Sequence, residues 1–406
     1  MRIRGSQGLI AGAAILLALA VSTPAQAEWE KGVAAYNSKD YATAAKEFEE
    51  VTKTNPDFAG GYYMLGLAQN AQNQLAPAVA NLRKAVELDA DNASYQVALG
   101  QALLKTKEYR QAYGLLKGLD MASMDAKYRS SYALLFAQAA TKSGQPQDAI
   151  RVLSAQAKAD GNNPRLQQAL GVANDEAGDD AKAFEAFKRA YELDPSDQAT
   201  GRSAVRSGIL AARRSSSNTQ KQRYYQQTGQ IAESLASSSP TFDHYLLAGE
   251  TWMGAKEYGR ALEWFEKAKA SQPNNVLVHY YCSQCNTSMK RYDPALRDLQ
   301  TALRIGASGK LRTQIYNQMG YVYAAKKDYA NAANAYGEAG NQSKVAEMRQ
   351  NQDKQAQNVQ AEAEQAELRR TIAALELQIR ELEEIGEVDD ANELRKQLDE
   401  LKRHLQ

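Results

Sequence analysis

A 34-residue period constrains this chain more than any other feature. Gly32, Gly66 and Gly100 stand 34 residues apart, and twelve residues after each comes an alanine: Ala44, Ala78 and Ala112. Four residues further on comes a large apolar side chain: Phe48, Leu82 and Leu116. The same frame returns as Gly171, Ala183, Phe187, as Gly249, Ala261, Phe265 and as Gly320, Ala332, Tyr336. Ser283, Ala295 and Leu299 fit with serine in place of glycine, and Ala137, Ala149 and Leu153 fit more loosely. Tyr41, Tyr109, Tyr258, Tyr292 and Tyr329 precede the frame alanine by three residues, and Ala85, Ala190, Ala268, Ala302 and Ala339 follow it by seven. Self-similarity at such a period is the mark of a stacked supersecondary unit, and 406 residues exceed what one ordinary core accommodates.

The chemistry of the frame predicts a pair of antiparallel helices per unit. Small residues let two helix backbones approach, and the large apolar residues fill the space between one pair and the next. Pro56, Pro195 and Pro273 close three units, because proline cannot continue a helix. No unit buries its apolar stripe alone, so neighbours stack into a continuous core. On these residues the chain resembles the tetratricopeptide-repeat (TPR) family over most of residues 28–346. The units begin near Gln26, Ala59, Ala93, Ser130, Pro164, Phe242, Val276 and Thr313. The resemblance implies an all-α fold, a TPR α-solenoid of antiparallel helix pairs.

Two segments leave the frame. Residues 198–241 read as two long helices around the polar turn 213–218, a degenerate repeat joining arrays at 28–197 and 242–346. Arg202, Arg206, Arg213, Arg214, Lys221 and Arg223 cluster there with no acid between Asp197 and Glu233. That basic patch suits an acidic protein, an anionic lipid or a glycan, or is simply a solvated face. Residues 347–406 read as a polar helix followed by a coiled-coil hairpin. Leu368, Ile372, Leu375, Ile379 and Leu382 form one apolar seam, and Ala391, Leu394, Leu398, Leu401 and Leu405 form another that is out of phase with it. Gly386 lies between them, and Asp390 with Glu393 reads as a capping box opening the second helix. Two short helices bury little alone, so the tail is expected to self-associate or to dock on a partner.

The first residues carry an export pattern: Arg2 and Arg4, the apolar run Leu9 to Val21, then Ala25-Gln26-Ala27. A spanning helix needs about twenty apolar residues, so this run predicts a signal peptide, residues 1–27, cleaved after Ala27, with a retained N-terminal anchor as the alternative. The mature chain is then expected to be periplasmic or extracellular, without a transmembrane segment. The 49 basic and 48 acidic side chains nearly cancel, which gives no reason to expect a nucleic-acid partner.

Catalytic chemistry is not expected, nor any cofactor or metal. Cys282 and Cys285 form a C-x-x-C, but Asn274 and Asn275 would start the helix and place Cys282 two turns inside it. A reactive thiolate is favoured at the helix start instead. His279 is the one nearby metal ligand in sequence, and ligands at 279, 282 and 285 fan around one helix without closing a tetrahedron. Small-residue packing is the simpler reading of both cysteines, ahead of a disulfide.

The TPR resemblance implies a binding groove on the inner face of the first helix of each pair. Residues three before, one after and four after the frame glycine share one face. They are Trp29, Val33, Tyr36; Tyr63, Leu67, Asn70; Val97, Gln101, Leu104; Leu246, Glu250, Met253; Tyr280, Gln284, Thr287; and Asn317, Tyr321, Ala324. Tyrosine, amide and aliphatic groups together suit an extended peptide or an amphipathic helix. The expected function is a non-enzymatic protein–protein interaction scaffold of the bacterial cell envelope. The alternatives are an envelope-glycan or membrane-associated structural factor that uses residues 202–223, and a C-x-x-C oxidoreductase.

Overall fold

The computed structural model describes residues 23–403. The stretch Arg2–Val21, which carries the export expectation, lies outside the described residues, as does Leu405. All twenty regular elements longer than one turn are α-helices, and no strand occurs among the described residues. In chain order the first ten are α1 (Thr23–Asn37), α2 (Tyr41–Thr54), α3 (Ala59–Ala71), α4 (Leu75–Leu88), α5 (Ala93–Lys105), α6 (Tyr109–Lys117), α7 (Ala126–Lys142), α8 (Pro146–Ala159), α9 (Pro164–Glu176) and α10 (Asp180–Leu193). Then come α11 (Gln198–Arg214), α12 (Asn218–Ser238), α13 (Phe242–Gly254), α14 (Tyr258–Ser271), α15 (Val276–Ser288) and α16 (Tyr292–Ile305). The chain continues as α17 (Gly309–Ala325), α18 (Tyr329–Glu338), α19 (Gln342–Ile385) and α20 (Val388–Arg403). Contacts group into two compact units: the chain up to Pro240 with Glu250–Lys256, and Thr241–Gly249 with everything from Glu257 on.

Helix starts follow the sequence frame closely. Five units open at the expected residues, Ala59, Ala93, Pro164, Phe242 and Val276. The others open earlier, at Thr23, Ala126 and Gly309. For α7 the cause is local: Asp125 accepts a hydrogen bond from the Lys127 amide and so caps the helix ahead of Ser130.

The frame residues meet as their sizes predict. A Cβ added to Gly171 would lie 2.6 Å from the Phe187 ring, and one added to Gly100 would lie 2.8 Å from Leu116. The frame alanines Ala44, Ala78, Ala112, Ala183 and Ala261 are fully enclosed, as are Phe48, Leu82, Leu116 and Phe265. Burying one such large side chain contributes about 1.5–3 kcal/mol, and the small-against-large contact repeats that gain in unit after unit.

The turn inside each pair is equally regular. Lys39, Asn73, Lys107, Gly144 and Gly178 in the first unit, and Lys290 and Lys327 in the second, take φ between 59° and 83°. Each lies one residue before an amide that reaches back five positions, as in Asp40 N to Ala35 O at 2.9 Å and Arg291 N to Asn286 O at 2.8 Å. This closes the first helix in the Schellman manner. Most of these positions carry lysine, a residue that favours right-handed backbone, so each spends about 1–2 kcal/mol on the turn.

Within the first unit, α11 and α12 pack as one more, longer helix pair. Gly201 lies against Leu235 and Tyr191, and Gly208 lies against Thr228 and Phe184. The Tyr191 hydroxyl and Ser234 Oγ are 3.1 Å apart.

Within the second unit, Val345 and Met348 of α19 cover Ala332, Ala333 and Tyr336 of α18. That gives the last repeat the cap an array needs. The helix runs on to Gly386, whose φ of 85° closes it. α20 then returns antiparallel, and Ile372, Ile379, Ala391 and Leu398 are buried between the two. The expected hairpin is therefore present, with one correction. α20 begins at Val388, so Asp389 and Asp390 lie in its first turn rather than capping it. There they complement the positive helix start.

Candidate functional site

The predicted inner stripe divides by exposure. Trp29, Tyr63 and Leu67 are each 2% exposed and belong to the core, as do Val97 and Leu104. The Tyr63 ring packs at a tilt on Tyr95, with centroids 4.7 Å apart, and is enclosed. Tyr36, Asn70 and Gln101 remain partly exposed on the first unit. Burial pushes the Tyr36 hydroxyl up to about 12, with Tyr41 adding to the effect, so it stays a neutral donor. Asn70 Oδ1 accepts from Lys105 Nζ at 2.6 Å.

In the second unit, α15 and α17 carry the stripe. Tyr280 and Gln284 are half-buried and interact with each other, while Tyr321 is 56% exposed. Thr287 is already engaged, accepting from Gln318 Nε2 at 3.1 Å, and Asn317 accepts from Asn341 at 3.3 Å. Leu246, Glu250 and Met253 of α13 are half-buried, and Glu250 has an interaction of its own.

The basic segment keeps less free charge than its sequence promised. Arg206 pairs with Asp175 at 2.6 Å. Arg214 pairs with the nearly enclosed Asp180 at 2.6 Å and donates to the Gly178 carbonyl at 3.1 Å. The acids come from α9 and α10, one repeat upstream, and a stretch read by itself could not supply them. Arg202, Arg213, Lys221 and Arg223 are exposed.

Residues 30–93 and 134–198 match the tetratricopeptide-repeat family model, on the same glycine–alanine frame and the same helix pairs. The chain is a tetratricopeptide-repeat protein. Residues 71–156 of this TPR chain also match the model for subunit 3 of the anaphase-promoting complex, cyclosome. Over 102 residues the chain is 31% identical to the heat shock protein STI1 of Saccharomyces cerevisiae, covering 25% of this chain and 17% of that protein. Among solved structures, a TPR protein from Parabacteroides merdae is similar at 14% identity, over 65% of this chain and 99% of that one, with a TM-score of 0.42. YrrB, a TPR protein with an unusual peptide-binding site, is similar at 20% identity, over 58% and 97% of the two chains, with a TM-score of 0.35.

One polar cluster in the second TPR unit was not anticipated. Cys282 and Cys285 are both free thiols and wholly enclosed. Burial pushes both upward, Cys285 to about 12, which opposes the thiolate an exchange reaction requires. Around Cys282, however, α14 and α16 bring Glu266 and Asp298, and ligand atoms of all three residues lie within 4.8 Å of one another. His279 Nδ1 is 3.3 Å from Asp298 Oδ1, and Lys269 Nζ lies 2.7 Å from Glu266 and 3.4 Å from Asp298. A sequence signal did exist. Glu266, Cys282 and Asp298 are sixteen residues apart, the same offset that sets a frame glycine against its large apolar partner.

Proposed function

We propose that this TPR protein is a scaffold that binds a peptide or protein segment along the first helices of its repeats, and that it works in the cell envelope or outside the cell. The observation carrying this reading is the partly exposed tyrosine and amide row on the second unit, Tyr280, Gln284 and Tyr321. An aromatic ring 56% exposed beside half-buried amides offers apolar area with backbone-pairing groups next to it. Tyr280→Ala with Tyr321→Ala is expected to reduce capture of a native envelope partner at least tenfold while leaving the far-ultraviolet circular dichroism unchanged. Undiminished capture would move the site off this stripe.

The envelope location rests on the Arg2-to-Ala27 pattern. Ala27 is exposed, and Trp29 is the first enclosed side chain among the described residues, packed on Phe48 and Phe58 at 5.4 and 5.3 Å. A cut after Ala27 leaves Trp29 and its contacts with Phe48 and Phe58 in the mature chain. N-terminal sequencing of the native protein is expected to begin at Glu28, and a sequence starting at Met1 refutes the processing.

A further inference from the structure

We propose that Cys282, His279, Asp298 and Glu266 form a binding site for a zinc-type divalent cation, with Lys269 as its built-in competitor. The first argument is the histidine. His279 Nε2 lies 2.8 Å from the Pro273 carbonyl oxygen, which can only accept, so Nε2 carries the hydrogen. In a neutral imidazole that leaves a bare lone pair on Nδ1. The lone pair faces Asp298 Oδ1, another acceptor, at 3.3 Å. Two acceptors at that distance are reconciled by a positive charge beside them, a place that the Lys269 ammonium, 3.4 Å from Asp298 Oδ1, now takes. An imidazole anchored through its remote N–H on a backbone carbonyl is also how proteins fix the tautomer of a metal-binding histidine.

The second argument is the thiol. Cys282 is 0% exposed, and its sulfur sits among two carboxylates. As a packing group it gains nothing from such neighbours. As a ligand it completes a set of one thiolate, one imidazole and two carboxylates drawn from three successive helices. That spread removes the objection that residues on α15 alone cannot surround an ion. Thiolate and imidazole favour zinc over magnesium or calcium. Zinc bonds of about 2.0–2.3 Å put neighbouring ligands roughly 3.3–3.8 Å apart. The Glu266, Cys282 and Asp298 donors lie within 4.8 Å of one another and need a closure that the half-exposed Glu266 side chain can make, and His279 Nδ1 approaches the group at Asp298 Oδ1, 3.3 Å away.

Lys269 now holds the cation's position against both carboxylates. Its side chain is 24% exposed, so the flexible stem can withdraw the ammonium into solvent as the metal enters. Asn286 Nδ2, 3.4 Å from Asp298 Oδ2, keeps that carboxylate oriented. Binding forms the sulfur–metal bond and releases the Cys282 proton to solvent. The ion then ties the second helix of one repeat to the second helix of the next through the helix between them.

Cobalt(II) added to the full chain is the direct probe. One equivalent is expected to give a near-ultraviolet thiolate-to-cobalt band and the intense visible bands of a tetrahedral site, and zinc(II) is expected to abolish both. Cys282→Ser should lose the thiolate band. Lys269→Met keeps all four donors and removes the competitor, so it should bind at least tenfold more tightly. That variant guards against misfolding of the cysteine variant as an explanation. No thiolate band in either the native chain or Lys269→Met overturns the site. So does a band that survives Cys282→Ser.

Discussion

Phe187→Ala is expected to cost about 3–5 kcal/mol of stability, read from the urea midpoint by circular dichroism, and to reverse the effect of a second substitution at Gly171. The ring of Phe187 is 2% exposed, and a Cβ at Gly171 would come within 2.6 Å of it. In the native background Gly171→Ala therefore forces the ring or the helix to move, at about 1–3 kcal/mol. Alanine is intrinsically better than glycine inside a helix by roughly 0.5–1 kcal/mol, a gain masked while the ring is present. With Phe187 removed, the added methyl enters the vacated space and that gain appears. The double variant should then be more stable than Phe187→Ala alone. Additive effects within about 0.5 kcal/mol would mean that the two residues do not touch.

The same contact explains how much of the fold was legible beforehand. Glycine, alanine and a large apolar residue at fixed offsets are a direct imprint of two backbones meeting beside one ring. Every clear occurrence of the frame could therefore be read without a structure. The turns were not legible, because local preference points the wrong way. Lysine does not announce a left-handed residue, yet Lys39, Lys107, Lys290 and Lys327 all adopt one. There the packing of the helix pair outweighs the preference of a single residue. The candidate site was legible as a face but not as a surface. The i, i+4, i+7 spacing placed Leu67 and Tyr321 on equivalent positions, and only neighbouring repeats decide that the first is 2% exposed and the second 56%. Pairings across repeats, such as Arg214 with Asp180 or Cys282 with Asp298, needed the inter-helix offset as well as the residues.

Spin labels at Glu376 and Lys396 should report a separation of roughly 13 Å between their backbone positions, against about 30 Å for a continuous helix at 1.5 Å per residue. Two ion pairs fix the register of the tail. Lys402 meets Glu376 at 2.8 Å, and Arg395 meets Glu383, so seven residues forward on α19 match seven backward on α20. Position 396 then faces position 382, six residues and about 9 Å along the axis from Glu376. Packed helix axes lie about 8–10 Å apart, which sets the remaining component. Each pair is exposed to solvent and contributes little. The hairpin is therefore held by Ile372, Ile379, Ala391 and Leu398. Ile379→Asp with Leu398→Asp puts two carboxylates at the centre of that seam, where neither has a partner. The label distance should then lengthen and broaden while the repeats keep their helix content. A distance near 30 Å in the native chain would refute the hairpin. The partly buried Leu368, Leu375, Leu382, Leu394 and Leu401 flank the seam and leave apolar area for a second hairpin. We accordingly expect the native protein to have at least twice its chain mass in solution and the protein lacking residues 368–406 to be a monomer. An unchanged mass on deletion would exclude the tail as the self-association element without touching the hairpin, which the label distance decides separately.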